Sequence, residues 1–551
     1  MTLKNSTDRY YLLFLFIAFL ILIIGLGSYG LAETSEARYA EISREMLLNG
    51  DYLNPELLGI FHFHKPPITY YITTLGYQIF GVNEFGARFF LQVAIIIQLL
   101  LIYRLAYLLY KDKRIAFIAG LVYFSFPIVL ISSRNLTTDA FLTTFILGAI
   151  YCWQVYDHKN KTVFLYFFYT LVGVALLTKG PVALLFVLAY IITRKLIYGD
   201  GAKITNHHVI GFVLCALIGA SWYIAVIMEH PKIWDYFINK QLAGRMTGNA
   251  FKERSKPFWY YFPILLGLLL PWCLSLISNF KKYIKSFFAK QKETKVLIYS
   301  SAILFFLFSA FSTKLILYIL PIFWMVAIII AVGLPKISNT SKNIVNLTYA
   351  SLLTMLFVGL VFSWIFKTNM ENVSIKTLIV ALISLIIFGL VYHFIENEKF
   401  YKPPVLAATF GGAIILISTS FMSHNSPVTN STKDMVKFID NVSNERNKTI
   451  LVYDYLLSSI PFYTNDTLIT LKYSHHTTQR ETQFENNDTY KQNLWDMHKE
   501  TEINKLSKIS KKHSTYLLVR NKRDLDKKFS FLKENFDSEK HYQKWTLYYH
   551  K

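Results

Sequence analysis

Apolar runs of about 20 residues recur along this chain from residue 11 to residue 422, and no other feature constrains its fold as tightly. Each run is long enough to cross roughly 30 Å of hydrocarbon. A backbone in that medium satisfies its own hydrogen bonds by coiling into a helix. The runs lie at 11–30, 85–110, 115–133, 138–156, 162–178, 181–198, 209–228, 258–279, 296–312, 315–334, 344–366, 376–395 and 404–422, about 13 spans in all. The first has no small-residue cleavage site and more spans follow it, so it is expected to remain as an anchor. Past residue 422 the pattern stops. Strand-like runs stand at Thr449–Tyr455, Thr467–Tyr473, Thr515–Arg520 and Lys544–Tyr549, with helix-like patterns at Thr432–Val442 and Leu525–Glu534. The expected fold is an all-α polytopic membrane protein over residues 1–422, with a small soluble α/β domain at 423–551.

Charge orients this plan. The net charge is +22, but the basic residues are scattered over short loops and form no stripe, so no nucleic-acid partner is expected. They follow the positive-inside pattern and suit anionic lipid headgroups. Lys111, Lys113 and Arg114, then Arg194 and Lys195, then Lys281, Lys282, Lys285, Lys290, Lys292 and Lys295, then Lys336, Lys342, Lys399 and Lys402 all fall on one side. That side is expected to be cytoplasmic, with the N-terminus inside and the tail outside. Cys152, Cys215 and Cys273 sit in or beside apolar runs and form no motif, so neither a disulfide nor a cysteine-based zinc site is expected.

Two outward loops, 31–84 and 229–257, are too long for turns, and the unusual polar residues collect there and at span ends. Glu33 and Glu36 stand where the first span emerges, a costly place for carboxylates that serve no site. They precede Arg38, Tyr39, Glu41 and Glu45 on a helix expected over Ser35–Asn49, where Glu41 and Arg38 lie one turn apart; a solvated helix laced by such pairs is the plainer reading. The stretch Ile68–Phe80 is aromatic and too short to span, and is expected along the interface. His62 and His64 precede Lys65-Pro66-Pro67, whose prolines fix an extended turn. A divalent metal at His64 lacks a completing ligand nearby, so a hydrogen-bonding histidine is the stronger reading. Asp139, Lys179 and Lys314 sit at outer span ends. Snorkelling accounts for one such lysine, but not for several on the outer side, against the charge trend. A lipid-linked phosphate, held by charge-assisted hydrogen bonds, would account for them together.

These stretches resemble a known family. Glu36-Ala-Arg38-Tyr39-Ala-Glu-Ile-Ser-Arg-Glu-Met46, Lys65-Pro66-Pro67, Phe80-Gly-Val-Asn-Glu84-Phe-Gly-Ala-Arg88, Asp139, Leu177-Thr-Lys179-Gly-Pro181, Pro257-Phe-Trp-Tyr-Tyr261 and Lys314 to Pro321 follow, in order, the pattern of glycosyltransferase family 39, the protein mannosyltransferase-like superfamily. Within it the chain resembles the bacterial branch of aminoarabinose transferases acting on lipid A. The resemblance implies a membrane glycosyltransferase superfamily C fold and an inner-membrane enzyme. That enzyme would move a sugar, with inversion, from a polyprenyl-phosphate donor (undecaprenyl phosphate in bacteria) to a periplasmic lipid or glycan acceptor such as lipopolysaccharide. Carried over by position, Arg38, Tyr39, Lys65, Lys179, Arg245, Lys314 and Tyr318 would attend the donor phosphate. Asp139, with Glu33 or Glu36, would be catalytic. The register with Arg38 and Tyr39 favours Glu36 over Glu33.

The chain departs from the family pattern in three places. The usual Asp-Glu pair reads Ser35-Glu36, and the branch's Glu before Lys-Pro-Pro reads His64, which puts any metal site in question. In the 229–257 loop only Arg245 aligns, because the usual Glu-His reads Lys240-Gln241. Two other functions fit the same cations: a protein O-glycosyltransferase, and a transporter or flippase of lipid-linked sugars. The latter would place its charges near the bilayer midplane and show paired repeats, and neither is evident.

Overall fold

The computed structural model describes residues 6–33, 35–199, 204–244, 255–277, 291–366, 373–396, 399–443, 445 and 447–551. Arg245, and Lys281, Lys282, Lys285 and Lys290 of the orienting loop, lie outside them. The chain divides into two compact units: Met1–Leu26, Phe89–Arg134 and Thr138–Phe421 form the first, and Gly27–Arg88, Asn135–Thr137 and Met422–Lys551 the second.

The first unit is a bundle of apolar helices. Among the described residues every expected span is helical, as one helix or as several pieces. Eight helices among the described residues are long and apolar enough to cross a membrane, or nine when the pair Lys113–Ser125 and Pro127–Arg134, bent by 63°, is taken as one span. By this measure the expected thirteen is not reached. Val182–Tyr198 has 17 residues, and the run expected at 258–279 breaks into Phe258–Tyr260, Tyr261–Leu268 and Trp272–Ile277. Local chemistry sets the ends. Asp112 caps one helix by accepting the Arg114 N–H at 2.8 Å, and Pro127 breaks that helix from the next. Thr162–Lys179 stops at Gly180, whose φ of +80° suits glycine, with Pro181 behind it. Thr162–Lys179 packs between Thr138–Lys159 and Asn206–Glu229. The last approaches so closely that a Cβ on Gly173 would stand 2.9 Å from Ile218. Buried polar groups are satisfied internally: Gln98 donates to the Ala140 carbonyl at 2.8 Å and accepts from Tyr123 at 2.6 Å.

The second unit is built on a six-stranded sheet: β1 Thr449–Tyr453, β2 Thr467–Lys472, β3 Leu494–Asp496, β4 Thr515–Arg520, β5 Ser538–His541 and β6 Trp545–Tyr549. Its order is β3-β2-β1-β4-β6-β5. The first four strands run parallel, while β6 pairs antiparallel with β4 and β5. β1 is buried along four of its five residues, as a strand covered on both faces must be. Residues 31–84, expected as an outward loop of the spanning domain, fold with this sheet. Ile68–Phe80, expected along the interface, packs on Ser35–Asn49, and Tyr77 donates to the Ala40 carbonyl at 3.0 Å. Among the bonds by which the tail ties the loop down are Lys433 to Glu84 at 2.6 Å, the Leu31 N–H to the Tyr463 hydroxyl at 2.7 Å, and the Phe61 N–H to Glu485 at 2.7 Å.

Candidate functional site

In the bundle, three expected residues meet. Asp139 lies in the first turn of Thr138–Lys159, where the helix dipole favours a negative charge. Lys179 ends its own helix and forms a salt bridge with the Asp139 Oδ1; the two side chains are 9% and 7% exposed. The Tyr318 ring lies under the ammonium, 4.3 Å from Nζ to the ring centre. That tyrosine is placed by a tight 3-10 turn, Ile316–Ile322, containing Pro321. A buried, paired cation over an aromatic face in a membrane protein is costly to build, which makes this trio the candidate site of the bundle. Lys314 does not join them in this way. Its ammonium donates to the main-chain carbonyls of Lys256, at 2.9 Å, and Phe311, which fixes the turn that leads to Tyr318.

In the second unit the two candidate glutamates have opposite surroundings. Both oxygens of Glu36 are committed. Arg88 donates Nε to Oε1 and Nη2 to Oε2, each at 2.8 Å, and the N–H groups of Ala32 and Leu136 add bonds at 2.8 and 3.4 Å. Arg88, fully buried, also donates to the carbonyls of Tyr29 and Gly30 at 3.0 Å. Glu36 is thus the structural anchor of the turn into Ser35–Asn49, a role the register argument for it did not foresee. Glu33 accepts the Ser459 N–H at 2.6 Å through Oε1, while its Oε2 is sealed from water with no hydrogen-bond partner among the described residues. Burial pushes its pKa up to about 7, against the Ser459 hydrogen bond and the charge of Arg38, which pull it down. A carboxyl balanced near neutrality can give or take a proton.

Arg38 bears electrostatically on Glu33 and on His62. Tyr39 is buried against Tyr70, ring centres 5.6 Å apart, and Lys65 is half-buried beside Pro66. Glu41 pairs with Arg44 at 2.7 Å, three residues on along the same helix face. Glu45 accepts the N–H groups of Leu58 and Gly59, at 2.6 and 3.2 Å, in a turn where both residues have positive φ. Burial and the Glu41 charge raise its pKa. From the tail, Arg480 holds the same turn through the Leu57 carbonyl at 2.6 Å. Sequence gave no sign of the Arg480 and Ser459 contacts; Arg88, a charge inside an apolar run, could have been read as needing a partner.

His64 does not form a ligand pair with His62. Its ring stacks on His62, centres 4.0 Å apart and planes 23° apart, so the in-plane nitrogen lone pairs run side by side and do not converge on one ion. Burial, His64 and the nearby arginines hold the His62 pKa well below the usual histidine range. Among the described residues no group of three His, Cys, Asp or Glu could hold a metal ion.

Residues 64–218 match the family of dolichyl-phosphate-mannose-protein mannosyltransferases. An undecaprenyl phosphate-alpha-4-amino-4-deoxy-L-arabinose arabinosyl transferase of Proteus mirabilis is 32% identical over 315 residues, 56% of each chain. One of Pseudomonas fluorescens is 31% identical over 329 residues, 57% of this chain and 58% of its own. The chain thus spans a little over half the length of these curated relatives. The crystal structure of ArnT from Cupriavidus metallidurans bound to undecaprenyl phosphate superposes with a TM-score of 0.76, covering 99% of this chain and 98% of that one at 19% identity. Its apo form superposes with a TM-score of 0.77. The fold is that of the transferase from Cupriavidus, and in sequence and architecture the chain is similar to the aminoarabinose-transferase branch of glycosyltransferase family 39.

Proposed function

We propose that this chain is an inner-membrane glycosyltransferase that moves a sugar from a polyprenyl-phosphate donor to an envelope acceptor, a lipid A phosphate or related glycan, on the periplasmic face. The observation that carries the reading is the buried Lys179–Asp139 pair over Tyr318, in a fold shared with a structure that binds undecaprenyl phosphate. The relatives' names add 4-amino-4-deoxy-L-arabinose as the sugar to try first.

In the proposed reaction the bond between the anomeric carbon and the donor phosphate oxygen breaks, and that oxygen keeps the electron pair. An acceptor oxygen bonds the anomeric carbon from the opposite face, with inversion. The leaving polyprenyl phosphate gains negative charge, which cations placed beforehand stabilise. Lys179 is assigned this work, with Tyr318 beneath it; by the family resemblance alone, Arg38, Tyr39, Lys65 and Arg245 are assigned to the donor phosphate. Lys314 holds the turn behind Tyr318. Asp139 holds Lys179 and faces the sugar. A phosphate acceptor is already a nucleophile and needs no base. The test is mass spectrometry of lipid A from a deletion strain with and without the gene restored. Loss and return of a sugar-sized mass increment supports the reading, and identical lipid A in both strains removes that acceptor.

A second reading, transfer to a hydroxyl on a secreted protein, draws support from Glu33. Its unpartnered Oε2 and its pKa of about 7 suit a general base for a hydroxyl. Glycan loss from secreted proteins of the same deletion strain, with lipid A unchanged, would select it.

A further inference from the structure

A groove of about 790 Å³ opens in the spanning bundle, away from Asp139 and Lys179 in sequence and lined by other helices. One wall is Ser6–Ile23, another is Lys113–Ser125, and the third is Lys402–Ser423 with the middle of Ile375–Phe394. Its lining is apolar for nearly its whole length, from Leu13 to Leu416. Of its polar members, Thr7, Tyr10, Arg114 and Tyr401 stand where the walls begin, on the face of the positive-inside lysines, while Ser384 and Thr409 lie farther along the helices. From Thr7 to Ile21 the groove runs 14 helical residues, about 21 Å at 1.5 Å each. That exceeds half of the roughly 30 Å hydrocarbon core. The depth matches the acyl chains of one leaflet, with the headgroup at the mouth.

The charge at the mouth selects among lipids. Arg114 is 71% exposed at its side chain, and its only ion pair within 4 Å among the described residues is the partly exposed Asp112 at 3.4 Å. The guanidinium therefore keeps donors for an anion. Lys113 nearby is taken up by Asp8 at 2.6 Å, which leaves Arg114 as the cation lining the mouth. Guanidinium and phosphate match as planar fork and bidentate acceptor. The hydroxyls of Tyr10 and Tyr401 suit the same headgroup level.

We propose that this groove is a binding site for one anionic phospholipid of the leaflet on the Arg114 side. Its chains lie between the three helix walls and its phosphate pairs with Arg114. The site is separate from the transfer chemistry and would stabilise the seam where the first span meets the last ones.

Wild-type protein would be reconstituted in nanodiscs of equimolar phosphatidylglycerol and phosphatidylethanolamine, released, and its retained lipids counted by native mass spectrometry. Retention of phosphatidylglycerol well above phosphatidylethanolamine is expected. Arg114→Ala should lower that preference about fivefold, the factor expected for one basic residue at an anionic surface, and Arg114→Glu should abolish it. Ala408→Trp, which fills the groove, should remove both lipids, whereas Ile210→Trp on the lipid-facing side of another helix should change nothing. Arg114 is exposed, so its variants fold whether or not the groove filler does. An undiminished phosphatidylglycerol preference in both Arg114 variants would overturn the site, as would equal retention of the two lipids by the wild type.

Discussion

Replacing Arg88 with alanine should destabilise the second unit severely, and the structure gives the size. Glu36 would keep its charge, 1% exposed, with two backbone N–H groups and no cation. The carbonyls of Tyr29 and Gly30 would lose their donor as well. Removing one partner of a buried ion pair costs about 3–5 kcal/mol, and the stranded carbonyls add about 1 kcal/mol or more. Glu36→Gln strands the guanidinium instead and should cost a similar amount. If the pair acts as a unit, Glu36→Gln with Arg88→Met should cost less than the sum of the single changes by at least about 1 kcal/mol. The assay is thermal unfolding of detergent-purified protein followed by tryptophan fluorescence, with turnover measured well below the transition. Glu36→Gln should then keep most of its turnover per folded molecule. Full stability in Arg88→Ala, or full stability with abolished turnover in Glu36→Gln, would refute the anchoring role.

Lys179→Ala should lower turnover by about two to three decades, and Asp139→Asn by a similar factor, with transfer to a polyprenyl-phosphate donor as the readout. Tyr318→Phe keeps the aromatic face under the ammonium and should cost much less than Tyr318→Ala. If Glu33 acts as a base, turnover rises with pH through about 7, and Glu33→Gln removes that limb from the profile. The same carboxyl binds its proton more tightly folded than unfolded, so between pH 4.5 and about 7 stability should fall as pH rises, and Glu33→Gln should flatten that slope. Because the His62 and His64 rings stack without converging, exhaustive chelation should leave transfer unchanged; loss restored by a divalent cation would show another metal site.

What the sequence made legible follows from the range of the interactions. Spans are local properties, and among the described residues every apolar run became helical, whole or in pieces, because hydrocarbon allows little else. A break was legible at Gly180, between the runs 162–178 and 181–198, whereas Pro127 splits a run expected whole at 115–133. The meeting of Asp139, Lys179 and Tyr318 was legible only as residues of similar type at span ends, with the family resemblance to group them. The pairing of Glu36 with Arg88, 52 positions away, was beyond any local pattern. The binding of residues 31–84 to the tail rests on Glu84 with Lys433 and Phe61 with Glu485, which no local pattern encodes. β3 has three residues, and β5, Ser-Glu-Lys-His, alternates exposure at the sheet edge with no apolar signature.

The central claim is that this chain breaks a sugar–phosphate bond on a polyprenyl carrier. The direct measurement is incubation of the purified protein with undecaprenyl-phosphate-linked aminoarabinose and lipid A, reading both lipids by mass spectrometry. The account predicts free undecaprenyl phosphate and sugar-bearing lipid A in equal amounts, with both lost in Lys179→Ala. Intact donor in the presence of lipid A and of hydroxyl acceptors alike, from protein shown to be folded, would contradict it.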